Sequence, residues 1–381
     1  MKARDVRGAA TPIHTADPRA AYLAHNAELD AAIQSALRQP HYVLGPVVEQ
    51  FEHEFAAFVG SAHSVGVNSG TDALHLALRA LGIGPGDEVI TVAHTAVATV
   101  AAIELAGATP VLVDVELPWM TIDPEAAADA VGPRTAAVVA VHLYGQAADL
   151  AAVADLCDRC GLALIEDCAQ AHGAMWAGRH VGTFGRAGAF SFYPTKNLGT
   201  AGDGGMVTTE DRELAARIRM FRQYGWDESR SSVAAGVNSR LGPIEAAILS
   251  VKLQHLPRML AARHAVAQRY GAGLVDLPLM LPAERPQAQH AHHLYVPRCG
   301  EVATRDSLLR GLERHGVVAG VHYPVPIHLQ PAYRERVDRR SLVRTEELAG
   351  RVLSLPIYPE LTSPQQELVI TATREHFEGA R

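Results

Sequence analysis

The sequence predicts an α/β fold in which helices cover both faces of a mostly parallel sheet. Short apolar segments alternate with longer amphipathic segments through residues 64–165, and the apolar segments are nearly continuous. Such strands are typical of parallel sheets that are buried on both faces. The chain has 381 residues, 48% of them hydrophobic and 20% charged. It is therefore long enough for one large domain and a smaller second one.

The first part of the chain is predicted to supply the sheet. Residues 1–20 look like a loose leader, and helical patterns at 21–38 and 47–59 are separated by a turn at Gly45-Pro46. Strands are predicted at 64–67, 88–91, 109–114, 136–141, 162–165 and 187–192, with helices at 72–81, 96–105, 124–130 and 150–160. Ligands bind beyond the carboxyl ends of the strands in such sheets, so we expect the site there.

The second part of the chain predicts a smaller α+β domain. A long helical pattern covers 242–272 and is followed by a proline-rich stretch. Further apolar patterns predict a strand at 294–296, a helix at 305–315, an apolar segment at 317–321 and a last helix near 364–376. We therefore divide the chain into a leader (1–20), a large domain (21–255) and a small C-terminal domain (256–381).

The composition argues against several classes of partner. The formal net charge is −7 and there is no lysine- or arginine-rich block, which disfavours nucleic acid and anionic membranes. No stretch of about 18 uncharged apolar residues predicts a transmembrane helix. The N-terminus lacks the apolar core of a signal peptide, so we expect a cytoplasmic protein.

Two clusters could suggest a metal, and neither is predicted to hold one. Cys157 and Cys160 form a C-x-x-C motif inside a helical pattern, where we expect both to face the core as free thiols. The group His290, His292 and His293 has no partnering cysteine or acidic cluster nearby.

Lys196 is the strongest candidate for chemistry. It follows the apolar strand Ala187-Gly-Ala-Phe-Ser-Phe192 and precedes the glycine-rich run Gly199-Thr-Ala-Gly-Asp-Gly-Gly205. An amine at the end of a buried strand loses hydration, which lowers its pKa and makes it a nucleophile toward a carbonyl carbon. The alternative for a lone lysine is a surface position in a loop.

Three further segments accompany this lysine. Ser69, Gly70 and Thr71 stand between a strand and a helix, where exposed N–H groups favour a phosphate; the alternative is an ordinary helix cap. Asp167 and Gln170 follow the strand 162–165, and an acid there can hold a cationic ring nitrogen or simply cap a helix. The remaining polar positions are Ser191, five residues before the lysine, and Asn238, in a turn that enters the long helix.

Together these residues supply a carbonyl-reactive amine, a partner for a pyridinium nitrogen and a phosphate site, which is the protein's share of pyridoxal phosphate chemistry. The chain then resembles the DegT/DnrJ/EryC1/StrS type of sugar aminotransferase across about residues 11–370. The matching segments are Gly45-Pro-Val-Val-Glu-Gln-Phe-Glu, Asn68-Ser-Gly-Thr-Asp-Ala-Leu, Gly84-Pro-Gly-Asp-Glu-Val-Ile90, His142-Leu-Tyr-Gly-Gln146, Glu166-Asp-Cys-Ala-Gln-Ala-His-Gly173, the lysine segment, Asn238-Ser-Arg-Leu241, His322-Tyr-Pro324, Ile327-His-Leu-Gln330 and Leu353-Ser-Leu-Pro356.

The resemblance implies a fold type I aminotransferase: a large domain with a seven-stranded, mostly parallel sheet, a small C-terminal domain, and a homodimer that shares two active sites. It implies that Lys196 holds pyridoxal 5′-phosphate covalently and later carries protons. By the same matching, Asp167 is similar to the carboxylate on the pyridine nitrogen and Gln170 to the residue near the phenolic oxygen. The backbone of Gly70 and Thr71 with the Ser191 hydroxyl resembles the phosphate site, which Asn238 reaches from the other subunit.

One position departs from the family pattern. Many members have an aromatic residue stacked on the cofactor ring where this chain has Ala96. His94 is close in sequence, but neighbouring residues of a loop or helix point in different directions, so we do not expect it to take that place.

The C-terminal segments resemble the branch that aminates the 3-keto group of a nucleotide-linked, dTDP-like 6-deoxyhexose, with glutamate as the donor. Tyr193, His322, Tyr323 and His328 are the candidates near the sugar nucleotide, and packing within the small domain is the alternative. A 4-keto sugar or an inosose remains an alternative substrate, and a non-catalytic sugar-binding homologue a more distant one. The retained lysine argues against the dehydratase relatives, and the lack of a basic N-terminal helix-turn-helix argues against the regulatory ones.

Overall fold

The computed structural model describes residues 12–335 and 342–379. The strands are β1 (Ile13–His14), β2 (His63–Val67), β3 (Glu88–Val92), β4 (Thr109–Val113), β5 (Thr135–Val141), β6 (Ala163–Asp167), β7 (Met175–Trp176), β8 (Arg179–His180), β9 (Ala187–Ser191), β10 (Gly205–Thr209), β11 (Leu279–Met280), β12 (Ala288–Gln289), β13 (Arg298–Cys299) and β14 (Val317–Val318).

The helices alternate with these strands along the chain. They are α1 (Pro18–Ala24), α2 (Asn26–Leu37), α3 (Pro46–Val59), α4 (Gly70–Ala80), α5 (Val97–Leu105), α6 (Pro124–Asp129), α7 (Leu150–Cys160), α8 (Arg212–Phe221), α9 (Pro243–Leu274), α10 (Val302–Arg314), α11 (Val343–Arg351) and α12 (Ser363–Glu378). Two short 3-10 helices lie at Leu143–Gly145 and Ile327–Leu329. No helix among the described residues is both long enough and apolar enough to cross a membrane.

Seven strands form the central sheet, in the order β2–β10–β9–β6–β5–β3–β4. All pairs are parallel except those of β10, which is antiparallel to both β2 and β9. The predicted α/β fold with a seven-stranded, mostly parallel sheet is confirmed.

Both faces of this sheet are buried, and neighbouring residues of a strand point to opposite faces. In β6, Leu164 packs into one core and Ile165 into the other. The first core is rich in aromatic rings, and the Phe55 ring on α3 lies 5.0 Å from that of Phe190 and 5.4 Å from that of Phe192. The two-sided burial explains the nearly continuous apolar strands of the sequence.

Several elements differ from the sequence prediction. The helical pattern at 21–38 is two helices, α1 and α2, that meet at His25. Strand β10 and helix α8 were not predicted. The strand predicted at 294–296 is only a bridge between Tyr295 and Leu355. The next strand, β13, begins at Arg298.

The small C-terminal part has its own core, formed by α9, α10 and α12 with the chain around residues 353–361. Ile13 joins this core, and β1 pairs in parallel with β14. The predicted loose leader is therefore wrong for residues 13–20, whereas residues 1–11 lie outside the described residues. The proposed boundary at 255/256 falls inside α9, which runs from the sheet into the small core, and the division into domains remains a proposal.

Candidate active site

A cavity of about 390 Å³ opens at the carboxyl ends of the parallel strands. Two of those strands end on candidate residues, because Asp167 is the last residue of β6 and Ser191 the last of β9. The cavity brings together ten of the candidate site residues: Ser69, Gly70, Thr71, Asp167, Gln170, Ser191, Tyr193, Lys196, His322 and Tyr323. A ligand at this edge of the sheet is what an open α/β fold favours.

Lys196 reaches the cavity from a tight turn after β9. Its backbone N–H donates to the carbonyl of Tyr193 at 2.9 Å, and the backbone N–H of Thr200 donates to the carbonyl of Phe192 at 2.8 Å. Gly199 permits this turn, since a Cβ there would lie 2.6 Å from the carbonyl oxygen of Pro194. The turn therefore fixes the origin of the lysine side chain.

The environment of Lys196 changes its acid–base behaviour. Burial lowers the pKa of its amine from the ordinary 10.5 to about 8, and the nearby Asp167 carboxylate opposes that effect. Within the described residues no side-chain hydrogen bond holds the amine. The result is an amine that is partly neutral near pH 8 and free to react with a carbonyl group.

Asp167 is a buried carboxylate with both oxygens fixed. Thr99 donates its hydroxyl proton to Oδ2 at 2.8 Å, and the backbone N–H of Ala169 donates to Oδ1 at 3.1 Å. Burial nevertheless raises the pKa of Asp167 above its ordinary value, because these bonds and the nearby Lys196 compensate only in part. A buried carboxylate whose negative charge is only partly compensated is suited to a cationic partner such as a protonated ring nitrogen.

Gln170 connects the 3-10 helix Leu143–Gly145 to the segment at residues 322–323. Its Oε1 accepts from the backbone N–H of Tyr144 at 2.8 Å, and its Nε2 donates to the Tyr323 hydroxyl at 2.8 Å. The first bond fixes which end of the amide faces the cavity. Burial, assisted by the Asp167 charge, raises the pKa of Tyr323 to about 12, so its hydroxyl keeps its proton.

The other end of the cavity is built for an anion. Helix α4 begins at Gly70, and Ser69 caps it by accepting from the backbone N–H of Asp72 at 3.1 Å. Within the described chain no group accepts from the N–H of Gly70 or Thr71, so both are available to a phosphate. A Cβ on Gly70 would lie 2.7 Å from the Ser191 Cβ. Only glycine allows the helix terminus to approach Ser191 so closely.

These observations test whether pyridoxal phosphate fits the residues present. A reactive amine, a buried carboxylate that lacks a full counter-charge, and a helix N-terminus with free N–H groups and hydroxyls line the same cavity. The three groups match the aldehyde, the ring nitrogen and the phosphate of that cofactor. The fit does not depend on the likeness to any other protein.

The wall that would face the cofactor ring carries small side chains. Ala96 and Ala98 line the cavity there. His94 is fully buried and does not line it; its Nε2 instead shares a hydrogen bond of 2.9 Å with the Tyr144 hydroxyl. His94 therefore does not replace the aromatic residue that many family members have.

The substrate candidates separate into two groups. Tyr193, His322 and Tyr323 line the cavity, and Tyr193 is 52% exposed at its rim. His328 does not line it: this residue is buried, and its Nε2 pairs with Glu346 at 3.1 Å. The assignment of His328 to the substrate site has to be corrected, because its position in the 3-10 helix Ile327–Leu329 directs it into packing.

Asn238 lies outside the cavity of its own chain. It forms an isolated bridge with Gln223, and the neighbouring Ser239 hydroxyl donates to Asp72 at 2.7 Å while accepting from the N–H of Asn68 at 3.1 Å. Through these two bonds Ser239 holds the turn that leads into α4, where the candidate phosphate site lies. A contact of Asn238 with a cofactor phosphate would have to be made in another subunit.

Sequence reasoning missed several residues of the site. Thr99 looked like an ordinary helix position, and Thr15 and Ala16 lie in the segment predicted to be a loose leader, yet both of these line the cavity. Asp203 and His293 line it as well. Asp203 had a signal, since it stands in the glycine-rich run after Lys196, whereas His293 had been considered only as part of a metal cluster.

The cysteine prediction needs one correction. Cys157 on α7 is buried, but Cys160 at the end of the same helix is exposed. Residues three apart in a helix point about 60° away from each other. Here that difference is enough to bring Cys160 to the surface. Both are free thiols.

Comparison with known proteins gives a consistent result. A sequence model described as the DegT/DnrJ/EryC1/StrS aminotransferase family matches residues 24–374. The chain is 49% identical over 364 residues, 95% of each protein, to the dTDP-3-amino-3,4,6-trideoxy-alpha-D-glucose transaminase of Streptomyces venezuelae.

Solved structures extend the likeness to the whole fold. The crystal structure of S. venezuelae DesV in complex with a ketimine intermediate is 48% identical, covers 97% of this chain and 99% of its own, and superposes with a TM-score of 0.94. NtdA from Bacillus subtilis with bound cofactor PMP is 28% identical, with 98% and 87% coverage and a TM-score of 0.91.

Proposed function

The chain belongs to the DegT/DnrJ/EryC1/StrS aminotransferase family, whose members are pyridoxal phosphate-dependent enzymes of fold type I, and we propose that it transfers an amino group from glutamate to the C3 keto carbon of a nucleotide-linked 6-deoxyhexose. The observation that carries this proposal is that Lys196 and Asp167 line one cavity with the free N-terminus of α4. The name of the 49% identical relative, a dTDP-3-amino sugar transaminase, supports the C3 position and the dTDP carrier.

In this proposal Lys196 both attaches the cofactor and transfers protons during the reaction. When bound, pyridoxal phosphate supplies an electron-accepting ring that stabilises negative charge on the carbon beside the transferred nitrogen. The Lys196 amine, with its pKa lowered to about 8, is neutral often enough to attack an aldehyde. With the amino donor bound, the same amine would act as the base and acid that takes a proton from one carbon and returns it to another.

The other candidate residues would hold the cofactor and orient it. Asp167 offers a carboxylate that is fixed by Thr99 and Ala169, so it can keep a ring nitrogen protonated. Gln170 would lie near the phenolic oxygen of the cofactor, and its amide orientation is set by the backbone N–H of Tyr144. The N–H groups of Gly70 and Thr71 and the Ser191 hydroxyl would hold the phosphate.

The overall reaction consists of two balanced halves. In the first, glutamate would pass its amino group and an electron pair to the bound cofactor and leave as 2-oxoglutarate, whose keto oxygen comes from a water molecule. In the second, the keto carbon of the sugar receives the nitrogen, and its oxygen leaves as water. Tyr193, His322 and Tyr323 can bind the sugar nucleotide in this proposal, because all three line the cavity.

The proposal includes a homodimer with shared active sites and a cytoplasmic location. Asn238 supports the dimer, since it lies outside the cavity of its own chain and would reach the phosphate of the partner's site.

Two measurements on the purified holoenzyme test this function. Its visible absorbance band should be lost on addition of glutamate and return on addition of a 3-keto nucleotide sugar. Glutamate-dependent amination should then be assayed against matched 3-keto and 4-keto nucleotide sugars and an inosose. No spectral change with glutamate would leave a non-catalytic sugar-binding protein, and a preference for the 4-keto sugar or the inosose would overturn the C3 assignment.

A further inference from the structure

We propose that Thr99, with Thr95 behind it, is a positioning residue that keeps the Asp167 carboxylate ionised and fixed toward the cavity. This inference rests on the proposed function, because it concerns the carboxylate assigned to the ring nitrogen. Neither threonine lines the cavity, and neither would touch a cofactor or substrate. Both would act through Asp167.

The hydrogen bonds have a defined direction. Thr99 Oγ1 lies 2.8 Å from Asp167 Oδ2 and 3.2 Å from Thr95 Oγ1. An ionised carboxylate only accepts, so the single hydroxyl proton of Thr99 is committed to Asp167. Thr95 must then donate to Thr99. Because a hydroxyl that accepts a bond becomes a better donor, Thr95 strengthens the bond that Thr99 gives.

The three residues of this hydrogen-bonded series are buried, which strengthens its effect on Asp167. Thr99 is 1% exposed and Thr95 3% exposed, and Asp167 is 5% exposed. Burial raises the pKa of Asp167, and the Thr99 hydrogen bond is the largest effect that lowers it again. Within the described residues the remaining contributions come from the Ala169 N–H, Lys196 and His142.

The position of Thr99 on α5 adds a second contribution. Helix α5 begins at Val97, so Thr99 is its third residue, and the capping residue Ala96 offers no side-chain cap. The first turn of α5 also contains no acidic residue of its own. Asp167 on β6 is thus the carboxylate bound at this helix end, where the partial positive charge of the helix favours an anion.

The geometry also restricts rotation. Thr99 holds Oδ2 and the N–H of Ala169 holds Oδ1, so the plane of the carboxylate is fixed from two directions. Without Thr99 the carboxylate could turn about its Cβ–Cγ bond, and its proton affinity would rise. A ring nitrogen that shares a proton with Asp167 would then carry that proton for a smaller fraction of the time.

The test uses the holoenzyme and the substitutions Thr99→Val, Thr99→Ser and Thr95→Val. Valine keeps the β-branched shape and removes the hydroxyl, whereas serine keeps the hydroxyl. Because hydrogen bonds to charged groups are among the stronger ones, Thr99→Val should lower kcat of the glutamate half-reaction by about 10- to 150-fold. The KM for glutamate should change by less than about threefold, since the contact does not bind substrate.

A spectroscopic readout separates positioning from a general structural defect. With ¹⁵N-labelled cofactor, the ring-nitrogen resonance of Thr99→Val should move toward the unprotonated value, and Thr99→Ser should restore the wild-type position. Thr95→Val should give a smaller shift in the same direction. Thr373→Val is the matched control: Thr373 is equally buried and donates its hydroxyl to Val369 at 2.7 Å in α12, away from the cavity.

The outcomes decide the matter in either case. A wild-type resonance and kcat in Thr99→Val would overturn the proposal, as would equal losses in Thr99→Val and Thr99→Ser. If Thr99→Val does not fold, the shift expected for Thr95→Val decides, and a resonance unchanged there would contradict the role. Failure of the proposed function would look different, because wild-type holoenzyme would then not respond to glutamate while the ring-nitrogen resonance could still be measured.

Discussion

Gln170, just beyond the end of β6, donates a hydrogen bond of 2.8 Å from its Nε2 to the hydroxyl oxygen of Tyr323. The residues are 153 positions apart in the sequence. Because the backbone N–H of Tyr144 holds the other end of the Gln170 amide, the three groups form one connection across the cavity.

Tyr323→Phe tests that connection. The variant leaves Gln170 without its acceptor, and a neutral hydrogen bond contributes about 0.5–1.5 kcal/mol, so KM for the keto sugar should rise by about 2- to 10-fold. Steady-state kinetics with the sugar varied at saturating glutamate measure this. Tyr22→Phe is the control, since the Tyr22 hydroxyl bonds Asp30 on the exposed side of α2. An unchanged KM in Tyr323→Phe would show that the hydroxyl has no part in substrate binding.

Gly70→Ala should weaken cofactor binding. The added methyl group would lie 2.7 Å from the Ser191 Cβ and 3.2 Å from its Cα, so the helix terminus and Ser191 would have to separate. We expect the dissociation constant for pyridoxal phosphate, measured by fluorescence titration of the apoenzyme, to rise by at least about tenfold, equal to about 1.4 kcal/mol. Gly271→Ala in α9 meets nothing within 4 Å and should bind normally. Normal binding by Gly70→Ala would place the phosphate elsewhere.

The reaction of the apoenzyme with pyridoxal phosphate should depend on pH through Lys196. Burial lowers the pKa of this amine to about 8, and only the neutral amine attacks the aldehyde. The rate of reconstitution should therefore rise about tenfold per pH unit below pH 8 and level off above it. Stopped-flow absorbance from pH 6.5 to 9.5 follows it. A rate that keeps rising to pH 9.5 would indicate an amine with an ordinary pKa.

Asp167→Asn should impair turnover without unfolding the protein. The amide keeps the shape of the side chain but loses the negative charge, and removal of a preorganised electrostatic group costs on the order of 100- to 1,000-fold in kcat. Cofactor content should remain close to wild type, because the phosphate site and Lys196 are intact.

Glu166→Gln is a neighbouring contrast to that substitution. Glu166 precedes Asp167 in β6 and accepts from the backbone N–H groups of Gly182, Phe184 and Gly185 at 2.7–2.8 Å. Its replacement leaves a buried N–H unpaired, so it should lower the melting temperature more than it lowers kcat. If the two variants lost kcat equally, the special role of Asp167 would be contradicted.

The sheet and the main candidate residues were predictable from the sequence because each depends on local signals. Continuous apolar runs indicated the parallel strands, and the polar residues that follow β6 and β9 had to meet at one sheet edge. Antiparallel β10 was missed because its short Met-Val-Thr-Thr run contains two threonines. Thr208 and Thr209 are buried there because their hydroxyls donate to Gly182 and Arg186, a tertiary effect.

The missed parts of the site depend on contacts between distant segments. Thr99 belongs to the site only through its hydrogen bond to Asp167, 68 positions away. Thr15 lines the cavity because β1 pairs with β14 far along the chain. His328 fitted a family pattern but packs against Glu346 instead. No periodicity or spacing in a single sequence reports such pairings.

Borohydride trapping at Lys196 tests the central claim most directly. The chain contains three lysines, Lys2, Lys196 and Lys252, and Lys252 is committed to the carbonyl of Gly199 at 2.7 Å. Reduction of the holoenzyme, followed by peptide mass spectrometry, should place the cofactor adduct on the peptide that contains Lys196, and Lys196→Ala should carry no adduct and show no turnover. An adduct on Lys2 or Lys252, or turnover near the wild-type rate in Lys196→Ala, would contradict the account.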